Sequence, residues 1–222
     1  MTMKQPGPRG GGAKPVGARG GPRRRTLALV VAALALAQLA AGCASPPPER
    51  FYRLAVAPSA AAQPAASAGD GPVVTVGAVT LPALVDRPQI VTLAAGSRVE
   101  ISEAHRWAEP LRFALGRVVA EQLAATLGTP LVYAYPQLAV ADAAFRVTLN
   151  VQRFDATRGV AVDDELLWTV RRVADGQLRS GRSSGRAVPA DASYDALAEA
   201  HVEALAAVSG DIARAIGELA TR

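Results

Sequence analysis

Ala144-Phe145-Arg146-Val147-Thr148-Leu149-Asn150-Val151-Gln152 is the stretch from which the fold class follows. Phe145, Val147, Leu149 and Val151 fall on one side of an extended chain, and Arg146, Thr148, Asn150 and Gln152 on the other. A period of two with one apolar side predicts a strand that meets a core on one face and water on the other, as in an antiparallel sheet. Downstream, a turn near Arg158-Gly159 leads into Val160 to Val173, where Val162, Leu166, Trp168 and Val170 share a face. Asp175-Gly176 then gives a hairpin signal before Gln177 to Val188, so these three segments predict an antiparallel meander. Ser193 can cap a helix that runs to about Ala220. Its stripe is Tyr194, Leu197, His201, Leu205, Val208, Ile212, Ile216 and Leu219, spaced for one helical face.

Working upstream, Glu109-Pro110 opens a second helix whose apolar side is Leu111, Leu115, Val118, Val119, Leu123 and Leu127. Gly128 and Pro130 end it. Shorter strands are expected at Phe51 to Val56, Val73 to Leu81, a segment through Leu93, Arg98 to Ser102, and Leu131 to Ala134. Residues 57–72, rich in Ala, Pro, Ser and Gly, predict a flexible loop. Strands, a helix, a meander and a terminal helix predict an α+β domain: two layers, with a largely antiparallel sheet and two long helices packed on one face.

The first forty-odd residues have a different composition. Residues 1–25 hold seven basic residues and no acidic one, whereas residues 43–222 hold seventeen Arg against nineteen acidic side chains. The whole-chain charge of +5 is therefore a property of the leader. A nearly neutral remainder gives no electrostatic reason to expect nucleic-acid binding. Leu27 to Ala41 is uncharged and apolar but too short to span a bilayer, which takes ~20 residues. Basic residues, an apolar run and then small residues predict a signal peptide over residues 1–42. Arg23-Arg24-Arg25-Thr26-Leu27 also leaves twin-arginine export open beside the general route.

Leu39-Ala40-Ala41-Gly42-Cys43 resembles the lipobox of bacterial lipoproteins, and Cys43 is the only cysteine in the chain. The expectation is cleavage before Cys43 and lipidation of its sulfur, which makes the membrane a partner through the anchor. In the lipoproteins it resembles, Ala44 in place of Asp favours the outer membrane. Several acyl chains, at ~0.8 kcal/mol per buried methylene, make release negligible. Residues 43–50, stiffened by Pro46-Pro47-Pro48, form the tether, and the domain occupies residues 51–222. At ~3.1 Å per residue the tether reaches at most ~25 Å.

Three constellations invite chemical readings. Gly181-Arg182-Ser183-Ser184-Gly185 matches Gly-x-Ser-x-Gly, with Asp191 and His201 following in hydrolase order. A nucleophile elbow needs a strand, a sharp turn and a helix, whereas this segment follows a hairpin and reads as an edge strand with small residues. Asp163-Asp164-Glu165 reads as a solvated strand end rather than a carboxylate pair. His105 and His201 are the only histidines, so no metal cluster is expected; nor does any Gly-rich phosphate loop imply a cofactor. His201 lies on the apolar stripe of the last helix and is expected to be packed, and Trp107 is expected to anchor core or interface. No catalytic set emerges, and an enzyme is not expected.

Phe51-Tyr52-Arg53-Leu54, Leu81 to Val91 (Leu-Pro-Ala-Leu-Val-Asp-Arg-Pro-Gln-Ile-Val), Arg106-Trp107-Ala108-Glu109-Pro110-Leu111, Tyr135-Pro136, Val151-Gln152-Arg153-Phe154 and Tyr194-Asp195-Ala196-Leu197 with Ala200-His201 occur in this order along the chain. In these stretches the sequence resembles the PqiC (YmbA-like) ABC-type transport auxiliary lipoproteins. The resemblance implies an outer-membrane lipoprotein facing the periplasm. It would work with an inner-membrane-anchored MCE-domain (PqiB-like) protein in lipid transport between membranes, perform no catalysis, and sit as a ring of identical subunits. The other reading is a stand-alone periplasmic lipoprotein that binds a lipid or small ligand in its own pocket.

Overall fold

The alternation at Phe145 to Val151 becomes the centre of a five-stranded sheet in a computed structural model, which describes residues 48–57, 71–137 and 142–221. The predicted signal peptide, Cys43 and residues 58–70 of the predicted loop lie outside the described residues. In chain order the elements are β1 (Arg50–Tyr52), β2 (Val74–Thr80), β3 (Gln89–Leu93), β4 (Val99–Trp107), α1 (Leu111–Leu127), β5 (Val132–Ala134), β6 (Phe145–Thr157), β7 (Ala161–Arg172), β8 (Leu178–Ala187) and α2 (Tyr194–Ala220). The architecture is α+β, without a closed barrel.

The meander forms as expected: β6 pairs antiparallel with β7, and β7 with β8. Gly176, at φ +75°, makes the turn between the last two strands, a conformation that costs a residue without Cβ little. Both helices cover this sheet, α1 over β2 and β5 and α2 over β7 and β8, and they pack against each other. A polar clamp fixes their register. Buried Gln122 of α1 donates Nε2 to the Val202 carbonyl at 2.8 Å and accepts from the Ser209 hydroxyl at 2.7 Å.

Three features differ from the expectation, the first being that β1 ends at Tyr52 where a strand to Val56 is expected. The strands form two sheets rather than one, β5-β2-β6-β7-β8 and β1-β4-β3, and both are mixed. β2 runs parallel to both β5 and β6, because the chain crosses over through β3, β4 and α1 before returning beside it. β4 also runs five residues past Ser102, through Trp107, pairing with β1 and β3 on its two edges. A bulge between Val151 and Arg153 in β6 reverses the strand's parity. Up to Val151 the odd positions are buried; beyond the bulge Phe154 and Ala156 are. One hydrophobic cluster results, including Tyr52, Leu54, Ile90 and Trp107 from the small-sheet side together with the helices and the meander.

Candidate functional site

Gly181, Ser183 and Gly185 alternate along β8 on the side that faces α2, and each is accounted for by packing. A Cβ at Gly181 would lie 2.3 Å from Cζ2 of Trp168, and one at Gly185 only 1.8 Å from the Ala204 carbonyl oxygen of α2. Ser183 is 5% exposed; its hydroxyl accepts from Trp168 Nε1 at 2.9 Å and donates to Asp211 Oδ2 at 2.5 Å. That bond, with help from Arg214, holds the Asp211 carboxyl below its ordinary range. The presumed triad partners are committed elsewhere. Asp191 accepts from the Ser193 backbone N–H at 2.6 Å, and His201 bonds Asp164. The segment is a straight strand with no turn into a helix, so it lacks the elbow that exposes a nucleophile.

Asp164 corrects the sequence reading. Of Asp163-Asp164-Glu165, the outer two are partly exposed and pair with Arg186 and Arg182, but Asp164 is 1% exposed. Its carboxylate lies 2.9 and 3.0 Å from Nδ1 of His201, itself 1% exposed. Phe154 stacks on the imidazole at 3.8 Å and 8°, and Trp107 meets it edge-on at 6.4 Å. Burial pushes the Asp164 carboxyl above its ordinary pKa, and His201 pulls against that rise. His201 is thus packed as expected, but as half of an ionisable pair. The pattern Val162, Asp164, Leu166 on alternate residues was the signal that Asp164 points inward.

The second histidine opens onto a cleft of about 500 Å³. Arg50 and Tyr52 come from β1, His105 from β4, Arg158 from the β6–β7 turn and Tyr194 from the start of α2. His105 and the two tyrosines form a triangle of rings, with His105 stacked on Tyr194 at 4.0 Å and Tyr52 at 5.6 Å from His105 and 5.7 Å from Tyr194. Its Nδ1 bonds the Ser102 hydroxyl at 2.8 Å. The Arg158 guanidinium lies 4.6 Å over the Tyr194 ring, and its Nε donates to the Ala192 carbonyl at 2.8 Å. Desolvation first, then the charges of Arg50 and Arg158, lower the His105 pKa. Sequence reasoning missed this cluster, because four elements far apart in the chain supply it. Among the described residues no group of three or more His, Cys, Asp or Glu could hold a metal, and no helix is long and apolar enough to cross a membrane.

Comparison with known proteins bears on both fold and family. A crystal structure of an uncharacterized protein superposes with a TM-score of 0.61 at 20% identity, covering 76% of this chain and 99% of the other. A Xanthomonas campestris protein of the DUF330 family superposes at 0.54 and 17% identity, over 74% of this chain and 92% of that one. At such identities the likeness shows the fold. A PelC dodecamer from Paraburkholderia phytofirmans matches at a TM-score of 0.40 and 15% identity, over 63% of this chain and 86% of that one. No curated relative matches the chain in sequence. The model of the ABC-type transport auxiliary lipoprotein component matches residues 52–213, which takes in every element from β2 to β8 and most of α2. With the match running through nearly all of the described domain, the chain belongs to the family of ABC-type transport auxiliary lipoprotein components, the PqiC-like lipoproteins.

Proposed function

We propose that this protein is a non-enzymatic, lipid-anchored component of an MCE-type (Pqi-like) intermembrane lipid transport system. The match over residues 52–213, beginning nine residues after the lipobox cysteine, is the observation that carries the reading. Residues 1–42 are then the signal peptide, Cys43 bears the lipid, residues 43–50 are the tether and residues 51–222 form the domain. The anchor holds the domain on the periplasmic face of the outer membrane. A tether of ~25 Å cannot bridge two membranes, so an elongated MCE-domain partner comes to the domain. Docking of that partner's tip supports envelope integrity. The outer edge of β8 has no partner strand among the described residues, which leaves a place where identical subunits can join into a ring.

Two measurements test this reading. The Cys43→Ser protein is expected to leave the membrane fraction and to keep its uncleaved size; a membrane-bound, matured Cys43→Ser product would refute the anchor. Wild-type protein solubilised from its own membranes is expected to co-purify with an MCE-domain protein encoded nearby. Recovery of a soluble monomer with no such partner would refute the docking role.

A further inference from the structure

The charges around the His105 cleft are arranged in an unusual way. Arg50 and Arg158 line it, as do Glu103 and Asp195, yet no ion pair joins any of the four among the described residues. Two cations and two anions that could neutralise one another are instead held apart around one opening. Arg158 is fixed by the Tyr194 ring and the Ala192 carbonyl, and its two terminal nitrogens donate to nothing among the described residues. A fixed guanidinium with both terminal nitrogens free matches the oxygens of a phosphate. At His105, burial first and then the charges of Arg50 and Arg158 disfavour the protonated ring. Beside them, the carboxylates of Glu103 and Asp195 suit a small cation. A volume of about 500 Å³ lies within the range of small-molecule sites.

We propose that this cleft binds a phosphate ester bearing a cationic amine, the chemistry of an ethanolamine phospholipid headgroup or of the free ester. The phosphate lies against Arg158 and Arg50, and the ammonium lies against Glu103 and Asp195. Arg50 lies only seven steps along the chain from Cys43, so on the anchor reading above the cleft is held within ~25 Å of a membrane surface. That last step alone depends on the anchor; the binding chemistry does not.

The chain's two histidines make the test direct, since one lines the cleft and the other is buried. The full-length protein in detergent is titrated with O-phosphoethanolamine while the histidine ring resonances are followed by NMR. The expected result is a saturable shift of His105 and none of His201, with a rise in the His105 titration midpoint as the phosphate offsets the two arginines. Arg50→Gln and Arg158→Gln should each weaken binding about tenfold while keeping the wild-type urea midpoint. Glu103→Gln should weaken O-phosphoethanolamine but leave inorganic phosphate unchanged. Dihexanoyl phosphatidylethanolamine binding tighter than O-phosphoethanolamine assigns the site to the lipid headgroup; equal affinity assigns it to the free ester. Absence of a saturable His105 shift with either probe, or wild-type affinity in the Arg50→Gln/Arg158→Gln double variant, would overturn the proposal.

Discussion

Phe154 lies flat on His201, and the Asp164 carboxylate reaches the same imidazole from β7, so a charged group and its partner are sealed under aromatic rings. Removing one partner of a buried pair leaves the other without compensation and typically costs about 3–5 kcal/mol. Asp164→Ala and His201→Ala are each expected to fall in that range by urea unfolding. The double variant should lose clearly less than the sum, because the second truncation removes the group that the first had stranded. Additive losses would show that the two residues contribute separately. His105 is in the opposite situation, open to the cleft and bonded to Ser102. Its folded pKa lies below the unfolded value of 6.5, so between the two the unfolded chain binds more protons. Its contribution to stability is thus present above pH 6.5 and is lost as pH falls through the folded pKa. The urea midpoint of the wild type should drop more steeply than that of His105→Gln between pH 7.5 and 5.5. Parallel curves would show that burial and the two arginines do not lower the His105 pKa.

At the scale of elements, the approach of α2 to β8 depends on an absent side chain. A Cβ on Gly185 would have to displace the Ala204 carbonyl, which is backbone in the middle of a helix and cannot rotate away. Gly185→Ala is expected to cost about 3 kcal/mol, the upper end of ordinary overpacking. Gly181→Ala meets only the edge of the Trp168 indole and should cost less, while breaking the Trp168 to Ser183 bond and shifting tryptophan emission. Equal costs would mean that α2 yields as readily as a side chain. The sequence conveyed the helices, the meander and its turns well, because their signals are local: a 3.6-residue stripe on α2, alternation on β6, Asp175-Gly176 between β7 and β8. It did not convey the full length of β4. Between two short neighbours Glu103 of that strand is exposed and residues 104–106 are only half-buried, so the segment lacks an apolar alternation. The parallel neighbours of β2 and the bulge between Val151 and Arg153 were equally illegible, since each is decided by a partner strand distant in the chain.

The whole molecule raises the question of whether two sheets mean two folding units. Trp107 ends β4 in the small sheet, and Trp168 stands in β7 of the large one; they are the chain's only tryptophans. If the sheets unfolded independently, each tryptophan would report a different transition. Their surroundings argue for one event. Trp107 packs edge-on against Phe154 of β6 and His201 of α2, so the end of the small sheet closes the core of the large one. Arg117 of α1 donates to the Leu54 carbonyl at 2.8 Å, which ties the chain after β1 to the helical layer. The small sheet has no core of its own to retain once these contacts go, and three strands with few buried side chains are marginal alone. Trp107→Phe leaves Trp168 as the sole emitter, and Trp168→Phe leaves Trp107. In each variant the fluorescence transition in urea is expected to coincide with the far-UV circular dichroism transition of the same protein. An earlier transition for Trp107 emission would show instead that the small sheet, with the cleft at its edge, opens while the meander and α2 stay folded.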